Sequence, residues 1–365
     1  MSLARPPEEA RAAGRQAAGS LVHAVFEATM LEQLAEALRT SRGFAHKRDI
    51  AAVLPQLAPT ASATVVPNGD DCAVLPDPAG GGGHLLLAIE GLVQDFVEQQ
   101  PWFAGYSAVM VNLSDIAAMG GRALAVVDAL WAGNAEQGRE VLAGMRAASE
   151  RYGVPLVGGH TNLRAASSQL AVAVLGRAQR LISSFAAQAG DRVLVAVDLR
   201  GQWQGEAPFW NASTVAPAER LRGDMAVLPA LAEAGLVDAG KDISMAGVLG
   251  TALMLLECSG MGATIDLARL PRPAGVPDWS DPDGAAQRLR WLAAFPSFGY
   301  VLSVRPAEAD ETIARFAARG IACADVGTVH RGSVLALQLG DARVPLWDLA
   351  QQPFIAPQLE SRRAP

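Results

Sequence analysis

The sequence has few cysteines, and none of them is placed to form a familiar disulfide or metal framework. Its 365 residues include only Cys72, Cys258 and Cys323, which are far apart, odd in number and without CxxC spacing. Disulfide-stapled secreted domains and cysteine-based zinc sites both depend on paired or closely spaced cysteines. The sequence therefore favours a reducing compartment, and we expect a cytoplasmic protein.

Long hydrophobic runs and local clusters of positive charge are also missing. A leading mostly apolar stretch, Val248 to Leu256, is far shorter than the roughly 20 residues that a transmembrane helix needs. The first residues mix acidic and basic side chains and lack the apolar core of a secretory signal. Net charge is −7, and the 30 lysines and arginines are spread along the chain, which argues against nucleic-acid binding. We expect a soluble protein with a small-molecule substrate and with neither a nucleic-acid nor a membrane partner.

Lysine is scarce, because arginine supplies nearly all of the positive charge. The two lysines are Lys47 and Lys241. Lys47 lies in the turn-like segment SRGFAHK, ahead of a predicted short helix. A lone lysine is a compact and mobile donor that can follow a phosphoryl group, although a solvated surface cation is an equally good interpretation.

The chain also lacks a P-loop, the common phosphate-binding loop of nucleotide enzymes. The glycine run Gly80 to Gly83 is not followed by a Lys-Ser or Lys-Thr pair, which a P-loop requires. It connects two β-like segments, residues 63–74 and 84–90, and we interpret it as the turn of a hairpin.

The rest of the chain predicts two domains built from helices and mixed sheets. Half of the residues are hydrophobic, enough for two cores. In the first half, helices packed on one face of a mixed sheet indicate an α+β arrangement. The predicted domains are a helical and flexible segment, an N-terminal domain, a C-terminal domain and a tail, at residues 1–60, 61–180, 181–350 and 351–365. Hydrophobic spacing predicts helices at residues 20–40, 49–57, 101–119, 136–152, 225–235 and 245–258, strands at 124–130, 170–176, 192–197, 299–304 and 333–339, and a surface loop at 270–283.

Two acidic motifs lie in the predicted N-terminal domain. In NGDDCAVL, Asp70 and Asp71 occupy a turn before an apolar strand; carboxylates suit Mg²⁺, but such pairs also cap turns. In VNLSDIAAMGG, Asn112 and Asp115 are three residues apart and share a helix face. A buried carboxylate without a cation is costly, so Asp115 favours a metal or a buried donor opposite it. Local hydrogen bonding of both side chains is the alternative.

Two further motifs combine glycine with polar residues. In PLVGGHTN, Gly158 and Gly159 would let the backbone approach a ligand closely, and His160 follows as either a functional or a structural histidine. In KDISMAGVLG, a carboxylate and a hydroxyl precede a glycine-containing helix start, where backbone N–H groups can bind an anion. The alternative there is that Asp242 or Ser244 caps the helix.

In order and spacing, these motifs resemble one superfamily, the aminoimidazole ribonucleotide (AIR) synthetase-like proteins. GDDCAVL and NLSDIAAMGG are similar to the GDDAAVL and NLSDLAAMGA of thiamine-monophosphate kinases. GGHT resembles the GGHS or GGHT of selenophosphate synthetases. KDISMAG is similar to the DISDGL of the second domain, and FPSFGYVLSV to its late strand. The resemblance runs from about Lys47 to Leu349.

The resemblance implies an α/β (α+β) protein with a two-domain AIR synthetase-like fold. An N-terminal mixed-sheet domain and a C-terminal α/β domain would bind ATP and Mg²⁺ between them, and the chain would form a homodimer through its N-terminal halves. Carried over residue by residue, the implied metal-binding positions are Asp70, Asp71, Asp115 and Asp242, with Asn112, Gly158, Gly159 and Thr161 at the nucleotide and Lys47 and His160 in catalysis.

The sequence departs from the family pattern at three places. Where the family strand ends in Thr-Thr-Asp, this chain has Ala88, Ile89 and Glu90, so a longer carboxylate is expected at the metal site and the number of metal ions stays open. No cysteine or selenocysteine precedes Lys47, and DISDGL is altered, which disfavours selenide and aminoimidazole substrates.

The leading hypothesis is a Mg-ATP-dependent phosphotransferase or ATP-driven synthetase acting on a small molecule. In it, Lys47 or His160 neutralises the charge that develops during transfer. The alternatives are a nucleotide-binding protein without turnover and a thiamine-monophosphate kinase-like kinase.

Overall fold

The computed structural model describes residues 27–57 and 64–357. It begins with α1 (27–39), α2 (Arg42–Arg48), α3 (Ile50–Val53) and the 3₁₀ turn Leu54–Leu57. The predicted helix at 20–40 is confirmed from residue 27 onward. Residues 1–26, which include the predicted start of this helix, lie outside the described residues. So do residues 58–63 and most of the predicted tail.

The prediction of a loop at SRGFAHK is wrong, because this segment forms α2. Ser41 caps the helix by accepting a hydrogen bond from the Phe44 backbone N–H at 3.3 Å, which satisfies a donor that the first helical turn leaves free. The Phe44 ring is fully buried against Trp347 and Phe354. A turn-like sequence thus becomes a helix through burial against a distant part of the chain.

The first half of the chain forms a five-stranded sheet, ordered β1-β2-β5-β3-β4. Strands β3 and β4 are parallel, and the other neighbours are antiparallel. The predicted hairpin is confirmed, although its first strand begins at residue 73 rather than 63. The strands are β1 (Ala73–Pro76), β2 (His84–Leu92), β3 (Arg122–Trp131), β4 (Leu156–Asn162) and β5 (Gln169–Ala178).

One face of this sheet is covered by α4 (Gln94–Gln99), α5 (Pro101–Ala118) and α6 (Ala135–Tyr152). Glycines bring α5 and α6 into backbone contact: a Cβ added at Gly144 would lie 1.9 Å from the Trp102 carbonyl oxygen. The other face leaves apolar side chains in solvent. The exposed apolar side chains of this outer face are Leu87, Ile89, Val127, Val157 and Leu175.

The second half forms a seven-stranded sheet, ordered β15-β14-β10-β13-β6-β12-β9, and a small sheet, ordered β11-β8-β7. The predicted strands at 192–197, 299–304 and 333–339 and the helices at 225–235 and 245–258 are confirmed, although the first of these helices spans only 227–233 and residue 225 ends the preceding helix. The strands are β6 (Arg192–Val197), β7 (Gln202–Trp203), β8 (Phe209–Asn211), β9 (Ala239–Asp242), β10 (Met261–Asp266), β11 (Phe295–Pro296), β12 (Gly299–Val304), β13 (Ala322–Arg331), β14 (Val334–Leu339) and β15 (Ala342–Asp348). The helices are α7 (Ala218–Met225), α8 (Val227–Glu233), α9 (Gly247–Ser259), α10 (Ala285–Leu292) and α11 (Ala309–Ala317).

The two halves pack directly against each other. Helix α5 is almost entirely buried because it lies between the five-stranded sheet and the second half, where it contacts β9 and α8. This is the mixed α/β arrangement that the sequence predicts. Within the described residues, no helix combines the length and apolar character needed to cross a bilayer.

Candidate functional site

A cleft with about 1140 Å³ of space, part of it open to solvent, lies between the two halves. Five carboxylates and both lysines of the chain line it, and no arginine is among its described lining residues. With all of these groups ionised, the cleft carries a net negative charge, which favours a cation. The charged lining residues are Lys47, Asp70, Asp71, Glu90, Asp115, Lys241 and Asp242.

Three of these carboxylates form a compact cluster. One oxygen from each of Asp71, Asp115 and Asp242 lies within 4.8 Å of the others. Asp71 follows a turn in which Gly69 has φ 128°, a conformation that favours glycine. Asp115 lies in the last turn of α5, and Asp242 ends β9. The cluster exists because a turn, a helix and a strand from both halves meet at one point.

The cluster has the carboxylate oxygens that a divalent-cation site requires, and one of these oxygens has no hydrogen-bond partner within the described part of the chain. Asp115 is buried, and its Oδ2 atom has no hydrogen-bond partner among the described residues. The Ser244 Oγ atom, also at the cleft, is buried without a partner. Buried polar atoms without partners are costly, and Mg²⁺ prefers carboxylate oxygens at about 2.0–2.1 Å. The residues present thus fit a bound Mg²⁺ ion.

Burial and mutual repulsion raise the pKa values of the clustered carboxyls. Desolvation is the largest cause for each, and neighbouring carboxylates add to it. The pKa of Asp71 is raised to about 7 and that of Asp242 to about 6, with Lys241 opposing both shifts. The pKa of Asp115 is raised well above its ordinary value, with Asp242 as the largest charged contributor. The charge of a cation bound here would offset this repulsion and favour the ionised carboxylates.

Lys241 is the residue of this site to which sequence reasoning assigned no role. Its Nζ atom donates a 2.5 Å hydrogen bond to Asp71 Oδ1, and the two side chains are only 7% and 4% exposed. Burial lowers the pKa of Lys241, but the neighbouring negative groups, Asp71 first and then Asp70, together outweigh it, so the net shift is upward and the ammonium stays charged. The scarcity of lysine was the available signal, since both lysines lie at one cleft in a chain rich in arginine.

Lys47 reaches the cleft from α2. It lines the cleft together with Glu90 and Asp242. Burial raises the pKa of both carboxyls, and the charge of Lys47 opposes each shift. Helix α2 approaches the loop before α9 so closely that a Cβ at Gly43 would lie 2.4 Å from the Met245 carbonyl oxygen. The position of Lys47 is therefore set by helix docking.

Asp70 lines the cleft but lies outside the cluster. Its two carboxylate oxygens accept hydrogen bonds from the Ser183 and Ser184 hydroxyls and the Ser184 backbone N–H, at 2.6 to 2.9 Å. These contacts tie the turn of the first half to the start of the second. A metal role for Asp70 would compete with this connection.

Neither Asp242 nor Ser244 caps α9, so the interpretation of KDISMAG as a capped helix start is wrong. The N-cap residue is Ala246, and no side chain caps the helix. Asp242 and Ser244 are thus free to face the cleft.

The other predicted site residues, Asn112 and the stretch Gly158 to Thr161, do not line the cleft of their own chain. Asn112 is fully buried, and its Nδ2 atom donates to the Ala108 carbonyl oxygen at 2.7 Å. The stretch Gly158 to Thr161 is exposed on β4, at the edge of the five-stranded sheet. His160 lies beside Trp131, with 6.0 Å between ring centroids. Their roles at a nucleotide stay predictions.

Comparison with known proteins gives consistent matches over most of the chain. Two family models, described as the N-terminal and the C-terminal domain of AIR synthase related protein, match residues 69–178 and 190–340. An uncharacterized protein of Synechocystis sp. is 45% identical over 328 residues, which are 89% of this chain and 98% of that protein. A thiamine-monophosphate kinase of Synechococcus elongatus is 30% identical over 236 residues, covering 56% of this chain and 68% of the kinase.

Among solved structures, T. maritima PurL complexed with ATP is similar with a TM-score of 0.66 at 20% identity. The match covers 88% of this chain and 52% of PurL, so the chain spans about half the length of that protein. At this identity the likeness concerns the fold.

Proposed function

Because the chain belongs to the AIR synthase related family, as the two domain matches show, we propose that it is a Mg-ATP-dependent phosphotransferase or ATP-driven synthetase acting on a small molecule. The family resemblance and the two-domain AIR synthetase-like fold inferred from the sequence are thereby confirmed. The observation that carries the proposal is the cluster of Asp71, Asp115 and Asp242, with its unpartnered Asp115 oxygen, beside both lysines of the chain.

In this proposal, the three clustered aspartates hold Mg²⁺ and Glu90 lies at the rim of the same cleft. Mg²⁺ held by these residues would supply positive charge to neutralise phosphate oxygens during transfer. Lys241 compensates part of the buried negative charge by pairing with Asp71. Because Lys241 already neutralises the charge of Asp71, we propose that the cluster binds fewer metal ions than it would if Lys241 were absent.

Lys47 is proposed to neutralise the charge that develops on the transferred group. It is half-buried and lines the same cleft as Glu90 and Asp242, and charged donors aimed at developing charge are strong contributors to catalysis. The wall of the cleft thus offers a metal site and a cation on separate elements, as phosphoryl transfer requires.

We also propose that the chain acts as a homodimer, in which β4 approaches the nucleotide of the partner subunit. The support is the apolar outer face of the five-stranded sheet, where the Ile89 side chain is 69% exposed and Val157 62% exposed. Contiguous apolar surface of this kind marks interaction sites. Light scattering should give about twice the 38.0 kDa mass of the chain; a monomer at micromolar concentration would contradict the shared site.

Calorimetric titration of Mg-ATP tests the proposal at the cluster. Asp115→Asn should weaken Mg-ATP binding at least tenfold, about 1.4 kcal/mol, because the neutral amide removes charge from the metal site. The matched control is Asp310→Asn, an exposed position on α11, which should bind as the wild type does. Equal affinities of all three proteins would reject the metal assignment.

Turnover distinguishes an enzyme from a nucleotide-binding protein. Incubation with ATP, Mg²⁺ and a metabolite panel should release ADP or AMP continuously with some member of the panel. Including thiamine monophosphate tests the thiamine-monophosphate kinase-like alternative in the same assay. Tight Mg-ATP binding with no release from any member would favour the binding protein.

A further inference from the structure

A second cavity adjoins the acidic cleft, and its walls are mostly apolar and aromatic rather than charged. It contains about 680 Å³ of space, part of it open to solvent, and lies where the first half meets the small sheet. The cleft and this cavity, which we call the aromatic chamber, share four lining residues: Glu90, Val111, Met245 and Phe295. The two spaces therefore adjoin, and a molecule in the chamber would lie next to the cleft that holds the carboxylates and lysines.

Five aromatic rings form the wall of the chamber. Phe209 is at their centre, with ring centroids 5.1 Å from Phe96, 6.5 Å from Phe103 and 6.4 Å from Phe295; Trp210 completes the wall. These rings are tilted or edge-to-face, so they pack on one another rather than forming an open cage around a cation. Both halves of the chain contribute to the wall, which makes it a property of the assembled fold.

The polar side chains of the chamber are few and mostly engaged elsewhere. The Asn211 amide bonds to Gln204 and Thr214, and its oxygen accepts from the backbone of residues 213 and 214. The Ser297 hydroxyl accepts a hydrogen bond from the Ala212 backbone N–H at 2.9 Å. Among the described lining residues only Glu90 carries a charge, and it stands at the junction with the cleft. A charged group deep in the chamber would have no partner, which is costly.

We infer that the aromatic chamber binds the body of the acceptor molecule, and that this body is uncharged and largely apolar. The inference rests on the proposed function, since it takes the acidic cleft as the place where Mg-ATP reacts. The chamber holds the apolar body, and the reacting polar group points through the junction at Glu90 toward the carboxylates. Pockets with apolar walls and a few polar groups at one end are the usual form of small-molecule sites.

A matched pair of fluorescent probes tests the chemistry of the chamber. N-phenyl-1-naphthylamine is neutral, and 1-anilinonaphthalene-8-sulfonate carries a sulfonate on the same aromatic body. The neutral probe should bind the wild-type protein with at least tenfold higher affinity than the sulfonated one. Equal affinity, or preference for the sulfonate, would overturn the assignment to an uncharged body.

Three variants locate the bound probe. Ser107→Phe, which fills the chamber from α5, should weaken binding of the neutral probe at least tenfold, whereas Phe209→Leu, which enlarges it, should keep binding within about threefold. Val215→Ser, at an apolar side chain that is 83% exposed and lines neither space, should bind as the wild type does and so excludes adhesion of the probe to exposed apolar surface. Equal loss in the filled and the enlarged variants, or loss in Val215→Ser, would overturn the inference.

Mg-ATP titration of the same proteins separates the two proposals. Ser107 is not among the residues that line the cleft, so Ser107→Phe should bind Mg-ATP normally while losing the neutral probe. Wild-type protein that binds the neutral probe but not Mg-ATP would reject the proposed function and leave the chamber as an apolar site. Wild-type protein that binds Mg-ATP but not the neutral probe would reject the chamber.

Discussion

In the acidic cleft, charged side chains from both halves of the chain are buried against one another, whereas on strand β4 the residues from Gly158 to Thr161 are exposed along a sheet edge. The cleft depends on contacts between residues far apart in sequence, such as Lys241 with Asp71. Strand β4 depends on its backbone pairing with β3. Side chains in the cleft should therefore influence both stability and chemistry, and those of β4 should influence ligand contacts with little effect on folding.

The largest effect is expected from breaking the buried ion pair. Lys241→Met leaves the Asp71 carboxylate buried without its partner, and removal of one member of such a pair costs about 3–5 kcal/mol. Urea unfolding should show this loss. The matched control is the other lysine: Lys47→Met, at a half-buried position, should change stability by no more than about 0.5 kcal/mol. Equal stability of the two variants would contradict the description of Lys241 as a structural partner.

The second prediction separates chemistry from stability within the cleft. If Lys47 neutralises charge during transfer, Lys47→Ala should reduce turnover by roughly 10² while unfolding stability stays within about 0.5 kcal/mol. Initial rates with saturating Mg-ATP would measure the change. Unchanged turnover would make Lys47 a solvated cation and leave the carboxylates as the supported part of the site.

The third prediction concerns pH and follows from the raised pKa values of Asp71 and Asp242, about 7 and 6. The folded protein without metal retains protons that the unfolded chain has released above its ordinary carboxyl pKa of about 4. Stability from these groups is thus complete below about pH 4 and is lost as the pH rises through 6 to 7. Protons compete with metal for the same oxygens, so stabilisation by Mg²⁺ should increase over this range.

Urea midpoints at pH 5, 6, 7 and 8, with and without Mg²⁺, would measure both trends. Asp115→Asn should reduce the gain from Mg²⁺ at pH 8 more than at pH 5. A gain from Mg²⁺ that does not change with pH would show that the clustered carboxylates do not bind it.

The smallest effect is expected on β4. His160→Ala should leave stability within about 0.5 kcal/mol, because the side chain is exposed, and should weaken Mg-ATP binding about fivefold if β4 contacts nucleotide in the dimer. Titration above and below the dimer dissociation concentration would check this, since the effect should disappear in the monomer. An effect that persists in the monomer would show that His160 acts within its own chain.

The sequence predicted regular elements well where hydrophobic spacing was strong and local. Helix α5 and strand β6 were predicted to within one residue at each end, because their apolar periodicity is set by adjacent residues. Helix α2 was missed because its stability depends on Phe44 packing against Trp347 and Phe354, some 300 positions away. Strand β1 was predicted too long, since residues 64–72 form the turn that carries Asp70 and Asp71 rather than a ladder.

By itself, the sequence determined the family, the two-domain fold and the identity of the carboxylates, because these are recorded in motifs of adjacent residues. The tertiary structure alone decided which of them meet. Asp71, Asp115 and Asp242 are joined with Lys47 and Lys241 at one cleft, Asp70 becomes a connection to Ser183 and Ser184, and the GGHT stretch remains on a sheet edge. The physical reason is that the energies of a buried charge depend on distance and desolvation, which the packing of distant segments sets.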